Sequence, residues 1–127
     1  MDEPVVWIVD ADHWTRACLG AELIERGYDV VGFETVREAL ATLSLPGSRR
    51  AQVIIVDLAG QRLEGQPIEV LARAGAPLIG IAGGVDLAQE PVQHLPWAAL
   101  LRRPLSLGAI ADTVDRSLGE HGAPLAP

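Results

Sequence analysis

Two short runs that each end in an aspartate limit the fold more than anything else in the chain. Val53-Ile54-Ile55-Val56 runs into Asp57, and Val5-Val6-Trp7-Ile8-Val9 runs into Asp10. Runs of four or five apolar, mostly β-branched residues read as strands buried on both faces. Such strands belong to parallel sheets covered by helices on either side. Ligands bind in those sheets beyond the carboxyl ends of the strands. If the two strands are neighbours, Asp10, Asp12 and Asp57 share one end of one sheet.

The rest of the chain alternates in the same way. Asp12 is placed to cap a helix in which Trp14, Ala17, Cys18, Ala21 and Ile24 recur at helical spacing, with Gly27 ending it. Residues 28–33 read as a second strand, weakened by Gly32. Thr35-Val36-Arg37-Glu38 is a capping-box pattern ahead of Val36, Ala39, Leu40 and Leu43. After Asp57 a loop leads through Gly65 to a short helix over residues 67–74, with Pro67 in the tolerated first turn. Residues 78–81 make a fourth buried strand, leaving at Ala82-Gly83-Gly84. Pro91 and Pro96 confine any helix within residues 85–94. Residues 97–101 form a fifth strand. Ser106 can cap a last helix whose inner line is Leu107, Ile110, Val114 and Leu118, stopped by Gly119. Five such units predict a doubly wound parallel sheet of α/β class in the order 2-1-3-4-5, a flavodoxin-like topology. The domain spans residues 1–119, and residues 120–127 read as a flexible tail or linker.

Composition narrows the function. A chain of 127 residues has room for one domain. Aromatics are only 4%, so its core must be built from Val, Ile, Leu and Ala. A net charge of −7 argues against nucleic acid or an anionic membrane as a direct partner. With Cys18 as the single cysteine there is no internal disulfide, and its helical position makes it a small core residue. No CxxC or His/Cys cluster suggests zinc. The acidic start Met1-Asp2-Glu3-Pro4 does not resemble a signal peptide, and no run is long enough to span a bilayer, so a cytoplasmic location is expected. Gly80-Ile81-Ala82-Gly83-Gly84 lacks both the GxGxxG spacing and a Walker lysine, which argues against a nucleotide site. No nucleophile, histidine and acid fall in a supporting context, so an enzyme is not expected.

Ile8-Val9-Asp10-Ala11-Asp12, Val56-Asp57-Leu58 with Gly65 eight residues on, and Arg103-Pro104 after the fifth strand recur in a known order. In that order and spacing the chain resembles the receiver domain of bacterial two-component response regulators, over residues 5–118. The resemblance implies that Asp57 is the acceptor of a phosphoryl group from a histidine kinase. It implies a magnesium site at Asp10 and Asp57, with Asp12 a further candidate, and a switch built on a hydroxyl, an aromatic and a lysine.

The chain departs from that pattern at four positions. Ala11 stands where a second acid of an adjacent pair is expected, so magnesium binding is weakened and no cofactor is required. Ala82 replaces the switch hydroxyl, Leu100 the aromatic, and Arg103 the lysine. The expected reading is an atypical, pseudo-receiver-like domain that works through protein contacts. A functioning phosphoacceptor at Asp57 is the alternative, and a small-ligand-binding flavodoxin-like domain a third class. Arg103 is expected to pair with Asp57 or Asp10 in place of a metal. His13 beside the acidic loop is either a ligand or an ordinary exposed histidine. The resemblance also places a partner surface on the fourth helix, fifth strand and last helix. Trp97, Leu107 and Ile110 are its candidates for contact with a kinase, an effector domain or a second copy. Trp97 could equally cover the sheet.

Overall fold

The computed structural model describes residues 3–63 and 67–121. Five parallel strands form one sheet: β1 Val5–Val9, β2 Asp29–Phe33, β3 Val53–Asp57, β4 Leu78–Ala82 and β5 Trp97–Arg102. Their order is β2-β1-β3-β4-β5, the predicted one. The helices are α1 His13–Glu25, α2 Val36–Leu43, α3 Pro67–Ala72, α4 Gly84–Leu87, α5 Glu90–His94 and α6 Leu107–His121. The single helix allowed between residues 85 and 94 is two short ones. α6 continues through Gly119 to His121. Gly65 and residues 122–127 lie outside the described residues.

Strand alternation divides the core in two. Val5, Trp7 and Val9 turn to one side with Ile54, Val56, Ile68 and Leu71. Val6 and Ile8 turn to the other with Ile55, Ile79, Leu23 and Val114. Trp7 is wholly buried, and its indole Nε1 donates to the Arg49 carbonyl at 3.2 Å. No helix of the described residues is long and apolar enough to cross a membrane.

α1 corrects the sequence reading. Its buried residues are Leu19, Gly20 and Leu23. The stripe predicted to face inward faces out: Trp14 is 75% and Ile24 61% exposed, and Ala17, Cys18 and Ala21 are exposed as well. The helix is apolar on two sides, and 3.6-residue spacing does not say which side meets the sheet. Its position is fixed by Leu19 and Leu23 beneath it and by Arg26 at its end. Arg26 donates to Asp112 at 2.7 Å and Asp115 at 2.9 Å on α6. At the β2 edge, the Arg16 stem crosses Gly32, where an added Cβ would meet Arg16 Cδ at 3.2 Å.

β5 carries an irregularity with consequences for its side chains. Leu78 pairs with Trp97 but Ile79 pairs with Ala99, leaving Ala98 without a register partner. The extra residue shifts the alternation. Trp97 and Leu100 therefore share a face and meet over Gly80, where an added Cβ would lie 2.8 Å from Trp97 and 2.7 Å from Leu100. Ala99 and Leu101 join the opposite cluster.

Candidate functional site

The carboxyl ends of β1 and β3 are adjacent, and their aspartates converge there. Main-chain bonds continue the ladder into the site: Asp10 donates to Phe33 at 2.9 Å and Leu58 to Ile81 at 2.9 Å. Both side chains are withdrawn from water, Asp10 and Asp57 each being 2% exposed. Each accepts one bond from the loop it begins. The Asp12 amide donates to Asp10 Oδ1 at 2.8 Å, and the Ala59 amide to Asp57 Oδ1 at 3.1 Å.

Arg103 supplies the positive charge. Its amide donates to the Ala82 carbonyl at 3.0 Å, which carries it past the end of β4. Its Nη1 then donates to Asp57 Oδ1 at 3.2 Å, and its Nη2 to Asp57 Oδ2. This is a two-pronged guanidinium–carboxylate contact, the geometry that suits arginine and that a lysine cannot make. Of the two expected partners, Asp57 and Asp10, the contact is to Asp57. The Arg103–Pro104 peptide is cis.

Removal from water and the neighbouring Asp10 carboxylate push the Asp57 carboxyl up to about 6, against the pull of the Ala59 amide and Arg103. Burial raises Asp10 as well. Asp12 behaves differently. It is exposed, its side chain caps α1 by accepting from the Thr15 amide at 3.0 Å, and that bond lowers its carboxyl. The expected cluster of three carboxylates is thus a cluster of two, because Asp12 is taken up by the helix end.

The donor set does not fit a magnesium ion as it stands. A hard cation of this kind takes about six oxygens in near-octahedral order. Here Ala11 contributes none, Asp12 is a cap, and both oxygens of Asp57 face Arg103. No group of three or more His, Cys, Asp or Glu among the described residues is arranged to hold a metal ion.

The other sequence candidates are placed as follows. Ala82 is buried at the end of β4, and Leu100 is 37% exposed over Gly80. Ala11 faces the turn after Asp57, where a Cβ on Gly60 would lie 3.1 Å away. Gly60 has φ +76, a conformation that favours glycine. His13 is exposed, with its Nδ1 3.5 Å from Arg16 Nη2. Trp97 covers the sheet, its Nε1 donating to Val92 at 2.8 Å. Leu107 is half-buried against the core. Ile110 is 4% exposed and lies in the core, so it cannot serve a partner surface; its own α6 stripe packs it inward.

Two contacts went unforeseen. Gln61 clamps the loop after β3 to the start of α2, accepting from the Val36 amide at 3.2 Å and donating to the Glu34 carbonyl at 2.9 Å. The unpaired amides at the head of α2 were the signal that a capping group was needed. Arg16 Nη1 donates to the Asp10 carbonyl at 2.6 Å and braces the first exit.

The sequence matches no protein-family model and no curated protein. Solved structures do match. A response regulator receiver protein from Pseudomonas putida is 28% identical, with TM-score 0.72, covering 91% of this chain and 98% of that one. One from Burkholderia phymatum is 27% identical, with TM-score 0.73, covering 97% and 100%. The chemotaxis response regulator CheY4 of Vibrio cholerae shares the fold at 19% identity and TM-score 0.73, covering 91% and 99%. The chain therefore has the fold of a response-regulator receiver domain, with Asp57 at the end of its third strand.

Proposed function

We propose that this is an atypical receiver domain of two-component signalling that acts through protein contacts, with its phosphorylation chemistry degenerate and no catalytic activity of its own. The observation that carries this reading is the two-pronged contact of Arg103 with buried Asp57. It puts a fixed cation on the carboxylate oxygens that a metal and a phosphoryl donor would need. Ala82 offers no hydroxyl and Leu100 no aromatic, so the usual relay from Asp57 to the outer surface is missing. The domain holds one conformation, and its partners are a kinase, an effector domain or another regulatory protein of the cytoplasm. For a homodimer through α4, β5 and α6, Trp97 and Ile110 offer little, since one covers the sheet and the other is core.

The test is a magnesium titration followed by tryptophan fluorescence, with Trp7 and Trp14 flanking the acidic loop, and mass analysis after a small phosphodonor. The expected result is no quenching at millimolar magnesium and no added mass. The second reading, a working phosphoacceptor, is favoured by the position of Asp57 itself. Quenching together with a phosphoryl mass that disappears in Asp57→Asn establishes it instead.

A further inference from the structure

We infer that the cleft between the head of α2 and the loop after β3 binds a small phosphorylated molecule, gripped by Arg37 and Arg62. The cleft is about 440 Å³ and is walled by Thr35, Arg37, Gly60, Gln61, Arg62 and Pro67. That is the size of a small-molecule site, about 300–1,000 Å³. The walls are held without the two arginines. Gln61 ties the loop to α2 through the Val36 amide and the Glu34 carbonyl, and its own amide donates to the Leu58 carbonyl at 3.1 Å. The Thr35 hydroxyl oxygen accepts from the Glu38 amide at 3.2 Å. The Val36 and Glu38 amides are thus taken up by side chains of the protein, and the charged donors of the cleft are the two guanidinium groups.

Charge decides what kind of molecule fits. Arg26, Arg49 and Arg103 each meet a carboxylate. Arg37 and Arg62 are exposed, and neither side chain forms a hydrogen bond or ion pair among the described residues. No acid among those residues lines the cleft. Glu38, next to Arg37 in the chain, is turned to the Glu34 amide at 3.3 Å. In a chain of net charge −7, two unanswered cations on one cleft select an anion. Their number selects phosphate over carboxylate. A carboxylate has two oxygens, and one guanidinium takes both, as Arg103 does with Asp57. A phosphate ester has three free oxygens and up to about two charges, so it can answer a guanidinium from each side, Arg37 on α2 and Arg62 on the loop. The remaining volume leaves room for a small organic body against Pro67. Neither Asp57 nor Arg103 lines the cleft.

The test is an NMR titration of isotope-labelled protein with phenyl phosphate, an unactivated ester, and with benzoate, the same ring on a carboxylate. The expected result with phenyl phosphate is saturable shifts of the Arg37, Gly60 and Arg62 amide signals, half-complete near about 1 mM, while the Trp14 signal stays in place. Benzoate binds at least about tenfold more weakly. Arg37→Gln and Arg62→Gln each weaken phenyl phosphate at least about tenfold. Arg50→Gln removes the same charge from an exposed arginine outside the cleft and changes binding less than about twofold. All three positions are exposed, and the spectra themselves report an intact fold. No shift at about 10 mM phenyl phosphate overturns the proposal. Equal losses in the three variants overturn it too, since net charge alone then governs binding. Shifts centred on Asp10 and Arg103 place the ligand at the aspartates and overturn it as well. Benzoate binding as tightly as phenyl phosphate overturns the assignment to phosphate. None of these outcomes depends on whether Asp57 accepts a phosphoryl group.

Discussion

At the exits of β1 and β3 each charged group has an answer close by, whereas the outer face of α1 leaves a tryptophan and an isoleucine in water. The two regions lie only a few residues apart in the chain, joined at Asp12. In the first, burial sets the terms: two carboxylates are held away from solvent, and amides and one guanidinium offset the charge. In the second, the Trp14 ring meets the edge of its neighbour His13 at 5.7 Å between centroids, and Trp14 and Ile24 stay largely in water. The difference teaches that the site is determined from inside the fold, while nothing in the fold requires the helix face to be apolar.

The comparison breaks first on two neighbouring residues of α1. Leu23→Ala removes a buried side chain and is expected to lower stability by about 3 kcal/mol, whereas Ile24→Ala next to it changes stability by less than about 0.5 kcal/mol. Urea unfolding of the two variants compares them directly. Equal losses would mean that α1 is turned around.

The next effect concerns the buried carboxylates. The Asp57 carboxyl is raised to about 6 in the folded chain. A group raised above its unfolded value favours the fold most when protonated, and that contribution is lost as pH rises through the folded value. Asp57→Asn should thus gain nothing below about pH 4 and be more stable than the parent above about pH 6, by on the order of 2 kcal/mol. Melting temperatures in chelator-containing buffer across that window test it. A loss of stability at pH 8 would show that the Arg103 contact outweighs the burial of Asp57.

A smaller effect separates Asp12 from its neighbours. Asp12→Ala deletes the cap of α1 and should cost about 1 kcal/mol, while the titration of the buried pair moves only slightly, the Asp12 charge being the smallest influence on Asp10. A large shift of the pH profile in that variant would return Asp12 to the cluster.

The strands, their order and both aspartate exits were legible in the sequence because buried β-branched runs have few other uses. The Arg103 contact was legible in part: two arginines follow the predicted fifth strand, the one before Pro104 was expected to turn to the acids, and the choice between Asp10 and Asp57 was left open. The orientation of α1 was not. Trp14 and Ile24 look like core until Leu19 and Leu23 are seen to do that work, and periodicity weighs both lines alike. The Gln61 clamp was hidden for another reason. It joins residues 25 apart, and glutamine in a loop carries no signal of its partner. Asp12 was counted twice, as cap and as ligand, and only geometry decides between them.

The unpaired residue in β5 has a further consequence. Before it and after it the strand counts odd and even differently, so Trp97 and Leu100, three apart, stand on one side. Parity along this strand is therefore a stored quantity, set by Ala98 alone. Deleting that single alanine would restore simple counting and leave every other side chain on its present face, since Trp97 already pairs with Leu78 and Ala99 with Ile79. A one-residue edit at an exposed small side chain would thus straighten the strand while the core stays as it is.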